Sequence, residues 1–332
     1  MSKSASRRGA WAVGLAVLLA VLLASAWVLP EYYLDVLSKI MIFAILAVSM
    51  ELILGTTGLV SFGQAAFFGV GAYAVALMQK HLGIDNALAA AMGAILLAAI
   101  VGAVVGALSL RTKGVYFIMV TLAFAQMMYH FAHDTPLAGG SDGIYLGHSL
   151  VLGESGGHAF ELSGTVPIYV SALGALVFCL LGSVVLLQSK FGRALRGIGA
   201  NERRMSAVGY IPYRYKLAVF ILASGMAGLA GFLYCAKNGA TSPEMMAWQQ
   251  SGVVLLMVII GGVGRLWGAV CGAVIYVLLQ EALSSPDLMG PLADHWLLLF
   301  GIAVIVIVAL WPQGFAGQLE RFGARRAAGE VQ

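Results

Sequence analysis

Charge is what this chain lacks most. Lys, Arg, Asp and Glu make up only 10% of its 332 residues, whereas 61% are hydrophobic. A mean hydropathy of +0.92 excludes an ordinary water-soluble domain. Apolar runs of about 20 residues recur, the length needed to cross a bilayer core. Within such a core every backbone polar group must be satisfied inside its own segment, so helices are expected. The short alternating segments of a membrane β-barrel, about ten residues each, are missing. Cysteine is scarce too. Cys179, Cys235 and Cys271 each sit in an apolar run without metal-ligand spacing, and read as small buried helix residues rather than a disulfide or zinc framework. Catalytic signatures are absent as well. No GxxxxGK[ST] sequence supplies a P-loop, and neither HExxH nor a G-x-S-x-G elbow occurs. Most acids and histidines fall in loops, which leaves a membrane-embedded enzyme without an acid–base constellation.

What is there is an all-α, polytopic membrane pattern. Apolar runs mark about ten spans, with eight to ten as the range: residues 10–29, 33–54, 62–78, 87–110, 115–131, 167–187, 217–235, 251–263, 266–283 and 296–311. The first follows a basic start, and an "ASA" near its end resembles a signal-peptide cleavage site. Its length favours an uncleaved first span. The eighth is short and interrupted by Gly261, Gly262 and Gly264, which reads as a half-helix. A second helix break is expected at Gly55 to Gly58.

The few charges are segregated. If each span crosses once from a cytoplasmic N-terminus, 16 of the 19 Lys and Arg fall inside and most acids fall outside. That is the positive-inside pattern of an N-in, C-in protein. One transmembrane domain covers residues 1–332, with a cytoplasmic N-terminus (1–9), an extracytoplasmic loop (133–166), a cytoplasmic segment (189–216) and a cytoplasmic tail (312–332). The outer loop holds no Lys or Arg, three histidines and the glycine-rich "AGGSDGI"; a loop of that length is often a docking surface.

Coupled transporters carry ionisable groups deep in the membrane. Here Lys39, Glu51 and Glu281 lie toward the ends of their runs, where a charge can reach an interface. Thr121, Gln126, Ser171 and Ser224 are more central. They either line a path for a neutral or zwitterionic solute or make interhelical hydrogen bonds. Gly102 and Gly106, and Gly264, Gly268 and Gly272, have the spacing of close helix packing. A faint repeat links "GLVSFGQAAFFGVGAY" from Gly58 to "GGVGRLWGAVCGAVIY" from Gly261.

The cytoplasmic segment is the densest signal. From Lys190 to Lys216 it holds seven basic residues and one acid, Glu202. A lipid-headgroup anchor tends to be uniformly basic, whereas this stretch is patterned. "NERRMSAV" can form a short helix with Asn201 as N-cap, Glu202 in the first turn and Gly209 as its stop. Pro212 blocks continuation.

"FGRALRGIGANERRMSAVGYIPYRYKLAVFILASGMAGLAGFLY" closely resembles the cytoplasmic segment of the branched-chain amino acid ABC transporter permeases of the LivH and LivM type. "GLVSFGQAAFFGVGAYAVAL", "GGSDGI" and "MVIIGGVGRLWGAVCGA" resemble three further signatures in the same order, over roughly residues 34–315. The resemblance implies a subunit of a bacterial inner-membrane importer for branched-chain or other hydrophobic amino acids. It implies a second related permease, two cytoplasmic ATPases that bind ATP and Mg, and an extracytoplasmic solute-binding protein facing the "AGGSDGI" loop. No cofactor in this chain and no nucleic-acid partner is called for. Glu202, Ala207 and Gly209 match the E-x-x-x-x-A-x-G pattern of importer permeases. With Asn201, Arg203 and Arg204 they are expected to couple to an ATPase. Thr57, Ser61 and Gln64, polar groups at a helix break, are expected on the path or in a purely structural role. The chain departs from the family where Asn is common at Glu51, Tyr at Thr56, His at Gln64, Thr at Arg265 and Pro at Ala269. Related permeases carry urea, short amides or aromatic acids, and a stand-alone facilitator of a neutral solute is the rival outside the importer class.

Overall fold

The structure, a computed structural model, describes residues 22, 25–26, 29–155, 158–162, 164–290, 295–311 and 313–318. Its helices are α1 (Glu31–Thr57), α2 (Gln64–Leu82), α3 (Ala87–Ser109), α4 (Val115–Asp134), α5 (Thr165–Gln188), α6 (Lys190–Ala200), α7 (Glu202–Ala207), α8 (Pro212–Asn238), α9 (Trp248–Gly261), α10 (Leu266–Ser284), α11 (Pro286–Met289) and α12 (Trp296–Leu310). Among the described residues seven are long and apolar enough to cross a membrane: α1, α3, α4, α5, α8, α10 and the helix that begins at Trp296. The expected first span, 10–29, lies almost wholly outside the described residues.

Two expected spans differ from the rest. Helix α2 carries Gln64, Gln79, Lys80 and His81 and is not among the seven; α9 has 14 residues. Helix α2 is mostly buried inside the bundle, whereas α9 is only partly buried. A helix walled off from lipid by its neighbours need not be apolar along a full span. The centre is α1, apolar all round and buried from Ile40 to Ile53. Its 27 residues reach about 40 Å at 1.5 Å per residue.

Packing follows side-chain size. On α3 the inward stripe is Ala90, Ala94, Ala98, Gly102 and Gly106, while Leu88, Met92, Leu96, Ile100 and Val104 point outward. Lipid rewards apolar surface as well as a protein core does, so close backbone approach decides what faces in. A Cβ on Gly231 of α8 would overlap the Phe68 carbonyl oxygen of α2, and one on Gly102 would meet Ser224 of α8. Gly268 and Gly272 serve the contact between α9 and α10. Gly264 does not: it has φ +91° with open space around it, so it belongs to a turn rather than to a packing stripe.

The bundle has two distinct ends. At one, the ends of α1 and α3 meet α6, α7 and the start of α8. At the other, the segment after α4 is tied down. β1 (Ile144–Tyr145) pairs antiparallel with β4 (Ala240–Thr241), and β2 (Val151–Ser155) with β3 (His158–Glu161). Gln79 clamps this segment through Asp85 (2.9 Å), the His148 carbonyl (2.8 Å) and the Gly147 N–H (3.0 Å). Its glycines make the turns: Gly139, Gly140 and Gly143 all have positive φ.

Candidate functional site

The basic segment folds as two short helices with separate duties. In α6, Ser189 caps the N-terminus by accepting from the Gly192 N–H (3.3 Å), and Ala194, Leu195 and Ile198 turn inward. Arg193 and Arg196 donate to the carbonyls of Gln188 and Leu187, each at 3.1 Å. These are orphan carbonyls at the end of α5, so two of the seven basic side chains serve as a C-cap.

Helix α7 is built as its residues imply. The Asn201 side chain accepts from the Arg204 N–H (3.0 Å). Gly209, at φ +96°, donates to the Ser206 carbonyl (3.0 Å), and the Tyr210 N–H reaches the Met205 carbonyl (3.1 Å). This double closure needs a left-handed residue, which Gly209 supplies without steric cost. Glu202 pairs with Lys216 of α8 at 2.9 Å. Arg203, Arg204, Ala207, Val208 and Gly209 are exposed. A Cβ on Gly199, at the end of α6, would overlap the Thr56 carbonyl oxygen of α1. The two-helix unit is thus joined to α8 by an ion pair and to α1 by backbone contact.

The two helix breaks hold one another. Helix α1 runs unbroken through Gly55, which corrects the expected break there. The break begins at Gly58, which has φ +70° and donates to the Leu54 carbonyl (2.9 Å). Gly55 instead leaves room for the Glu51 carboxylate, which a Cβ would strike. The second break follows Gly261, with φ +108° at Gly262 and +91° at Gly264. Helices α2 and α10 restart after these breaks, and neither has a side-chain cap from its own N-cap residue, Gly63 or Arg265. Side chains from elsewhere hold both restarts: a cap at α2, and a bond to the turn just before α10. Ser251 of α9 accepts from the Ala65 N–H (3.0 Å) and donates to the Phe62 carbonyl (2.7 Å). Glu51 of α1 accepts from the Gly264 N–H (2.7 Å). Its acceptor therefore lies at the positive end of α10.

This geometry corrects the placement of Glu51. It is 2% exposed and clasps a turn, rather than reaching an interface. Thr57 donates to the Ile53 carbonyl (2.8 Å) and borders a cavity of about 240 Å³ beside α7. Ser61 is fully buried and accepts from the Gly63 N–H (3.1 Å). Gln64 is also fully buried, and neither side-chain amide atom has a partner among the described residues. Thr57, Ser61 and Gln64 therefore gather at the first break. None of the three borders the larger cavity.

That larger cavity, about 750 Å³, opens at the end away from α7. Lys39 of α1, Gln126 of α4 and Glu244 of the 3-10 turn Pro243–Met246 border it, with an aromatic floor of Phe43 and Tyr234. Sequence patterning flagged Lys39 and Gln126 separately. Glu244 has no local signal, because only the fold brings its turn to α1. Thr121, Ser171 and Ser224 do not border the cavity. Each donates to a carbonyl of its own helix, and Thr121 also accepts from the Phe62 N–H (3.2 Å).

Comparison with known proteins adds an independent line. Residues 32–309 match the family model described as the branched-chain amino acid transport system permease component. The high-affinity branched-chain amino acid transport system permease protein LivM of Escherichia coli K12 is 28% identical over 316 residues, covering 89% of this chain and 72% of that protein. A probable branched-chain amino acid transport permease LivM of Methanocaldococcus jannaschii is 27% identical, covering 84% and 93%. The LivH permease of E. coli K12 is 25% identical, covering 84% and 92%. No solved structure matches the chain.

Proposed function

The chain belongs to the branched-chain amino acid transport permease family, and on that premise we propose that it forms half of the translocation path of a binding-protein-dependent ABC importer for branched-chain or other hydrophobic amino acids. It resides in the inner membrane. A second homologous permease supplies the other half of the path. Two ATPases bind the ATP and Mg, and an extracytoplasmic binding protein delivers the solute. The chain itself carries no cofactor. The α7 end faces the cytoplasm, in an N-in, C-in arrangement supported by the distribution of Lys and Arg.

The observation that carries this reading is the construction of α7. It is capped at both ends, exposed along Arg203, Arg204, Ala207 and Val208, and tied back to the bundle by the Glu202–Lys216 pair. Val208 and Ile211, 70% and 51% exposed, present apolar surface among the charges, as a protein-docking tip does. A rigid element of this kind transmits displacement where a flexible basic loop cannot. Movement of the ATPases pushes α7. The push reaches α8 through Lys216 and α1 through the contact between Gly199 and Thr56, and the helices that border the breaks re-pack.

Purification of the tagged chain from mild detergent tests this, wild type beside a Glu202→Arg, Gly209→Trp double variant. Two ATP-binding subunits are expected with the wild type and not with the variant. A wild-type chain that purifies alone, and moves solute into liposomes without ATP, would replace the importer with a facilitator.

A further inference from the structure

The outer cavity carries charges that the rest of its end of the bundle does not use. Asp35 holds Lys237 at 2.7 Å, Glu281 accepts from the Tyr32 hydroxyl at 2.7 Å, and Asp85 accepts from the Gln79 amide. Asp134 faces His133 at 2.8 Å and His130 at 3.9 Å. Lys39 and Glu244 are different. Among the described residues neither enters an ion pair or a side-chain hydrogen bond, yet both border the same cavity. Lys39 stands eight residues into α1, about 12 Å along the axis at 1.5 Å per residue, and its stem is half-buried. A cation held at that depth without an ion pair among the described residues marks a functional position rather than a structural one.

Below Lys39, one turn along the same face of α1, lies Phe43. Its ring meets the edge of Tyr234 with centroids 6.3 Å apart. Tyr276 and Trp296 border the cavity too. Glu244 sits on a short turn whose neighbours Met245 and Met246 are buried, so its position is set by packing. A cation, an anion and an aromatic floor around about 750 Å³ match one class of solute, within the size range of small-molecule sites.

We propose that this cavity is a binding site for a zwitterionic α-amino acid with an apolar side chain, Lys39 taking its carboxylate, Glu244 its ammonium and Phe43 with Tyr234 its side chain. It gives the chain its own selectivity, downstream of the binding protein, and it rests on the importer reading for the direction of transport. Selectivity requires both charges. A solute lacking the carboxylate leaves the half-buried Lys39 unpaired, a loss of roughly tenfold or more in affinity for a charged hydrogen bond; one lacking the ammonium loses less, because Glu244 is exposed.

The test is equilibrium binding of radiolabelled leucine to the purified full chain in lipid nanodiscs, competed with leucinamide, which lacks the carboxylate, and with 4-methylpentanoate, which lacks the ammonium. Unlabelled leucine is expected to compete at least roughly tenfold better than leucinamide, and better by a smaller factor than 4-methylpentanoate, whose missing partner Glu244 is exposed. Lys39→Met should abolish the preference over leucinamide, and Glu244→Gln the preference over 4-methylpentanoate. Lys39→Arg and Glu244→Asp should retain part of each. No leucine binding to the wild type, or equal competition by all three compounds, overturns the site and needs no substitution to fold. So does leucine binding by both neutralised variants at wild-type strength. ATP-dependent leucine uptake by cells expressing the whole system separates this from the broader reading. Uptake with an unchanged KM in both variants leaves the importer standing without the site. Leucine binding by the chain in cells that move no leucine leaves the site standing without the importer.

Discussion

Ser251→Ala should loosen the first helix break without disturbing the surrounding bundle. Ser251 is fully buried, and its hydroxyl serves two backbone groups, the Ala65 N–H at 3.0 Å and the Phe62 carbonyl at 2.7 Å. The first bond is an N-cap supplied by another helix, and loss of a cap costs about 1 kcal/mol. The second is an ordinary buried hydrogen bond, also worth about 1 kcal/mol. Hydrogen bonds within membrane proteins average nearer 0.6 kcal/mol, because the alternative state also finds partners. The two bonds together therefore contribute about 1 to 2 kcal/mol. At 1.4 kcal/mol per factor of ten, local opening becomes roughly 5- to 30-fold more frequent. Hydrogen exchange on the peptide that spans the break reads this directly. Faster exchange at Phe62 and Ala65 is expected, with α3 and α5 unchanged. Thr121→Val removes the acceptor of the Phe62 N–H and should give a smaller effect at the same place. Unchanged exchange in Ser251→Ala would refute the cap supplied by α9. An acceleration spread evenly over the whole chain would refute its local character.

The matching clasp predicts a contrast at Glu51. Glu51→Gln keeps an acceptor for the Gly264 N–H, whereas Glu51→Ala leaves that donor buried and unpaired, at a cost of about 1–3 kcal/mol. Thermal unfolding in detergent should therefore rank the alanine variant below the glutamine variant; equal midpoints would show that the clasp contributes nothing. Gly231→Leu must push α2 away from α8, because its first side-chain atom overlaps the Phe68 carbonyl. Monodisperse protein on size-exclusion chromatography should fall sharply, while Gly174→Leu on the outer face of α5, with open space around it, should behave as wild type. Comparable yields from the two would contradict the close packing of α2 on α8.

The faint repeat gains content from the structure. Aligned as the motifs suggest, helices α2 and α10 begin and end within a residue of each other, and each has 19 residues. Each follows a glycine break, lacks a side-chain cap from its own N-cap residue and is held by a side chain from the helix that precedes the other break, Ser251 at the first turn of α2 and Glu51 at the turn before α10. Sequence patterning located the glycines at 58, 261, 262 and 264. It did not locate Ser251 or Glu51 as their partners, because the spacing between a cap and its recipient, 186 residues for Ala65 and Ser251 and 213 for Gly264 and Glu51, carries no local signal. Glu51 was misread for the same reason. Nearness to the end of an apolar run suggests an accessible interface, but three-dimensional packing sealed it against the second break.

Whatever depends on neighbours along the chain was settled by the sequence alone. Apolar run lengths dictated helices, because lipid offers no partner to a free backbone group. Asn201 and Gly209 dictated the limits of α7 and Pro212 the start of α8, since caps, left-handed closure and proline all act within a turn. The tertiary structure decided which apolar helices face lipid and which form the centre, because hydropathy alone cannot distinguish a protein neighbour from a lipid one. It also decided which charges were spent. Arg193 and Arg196 went to the end of α5, Lys216 to Glu202 and Lys237 to Asp35. Lys39 and Glu244, 205 positions apart, were brought to one cavity unpaired among the described residues. Pairing depends on distance in space, and only the folded chain sets that distance.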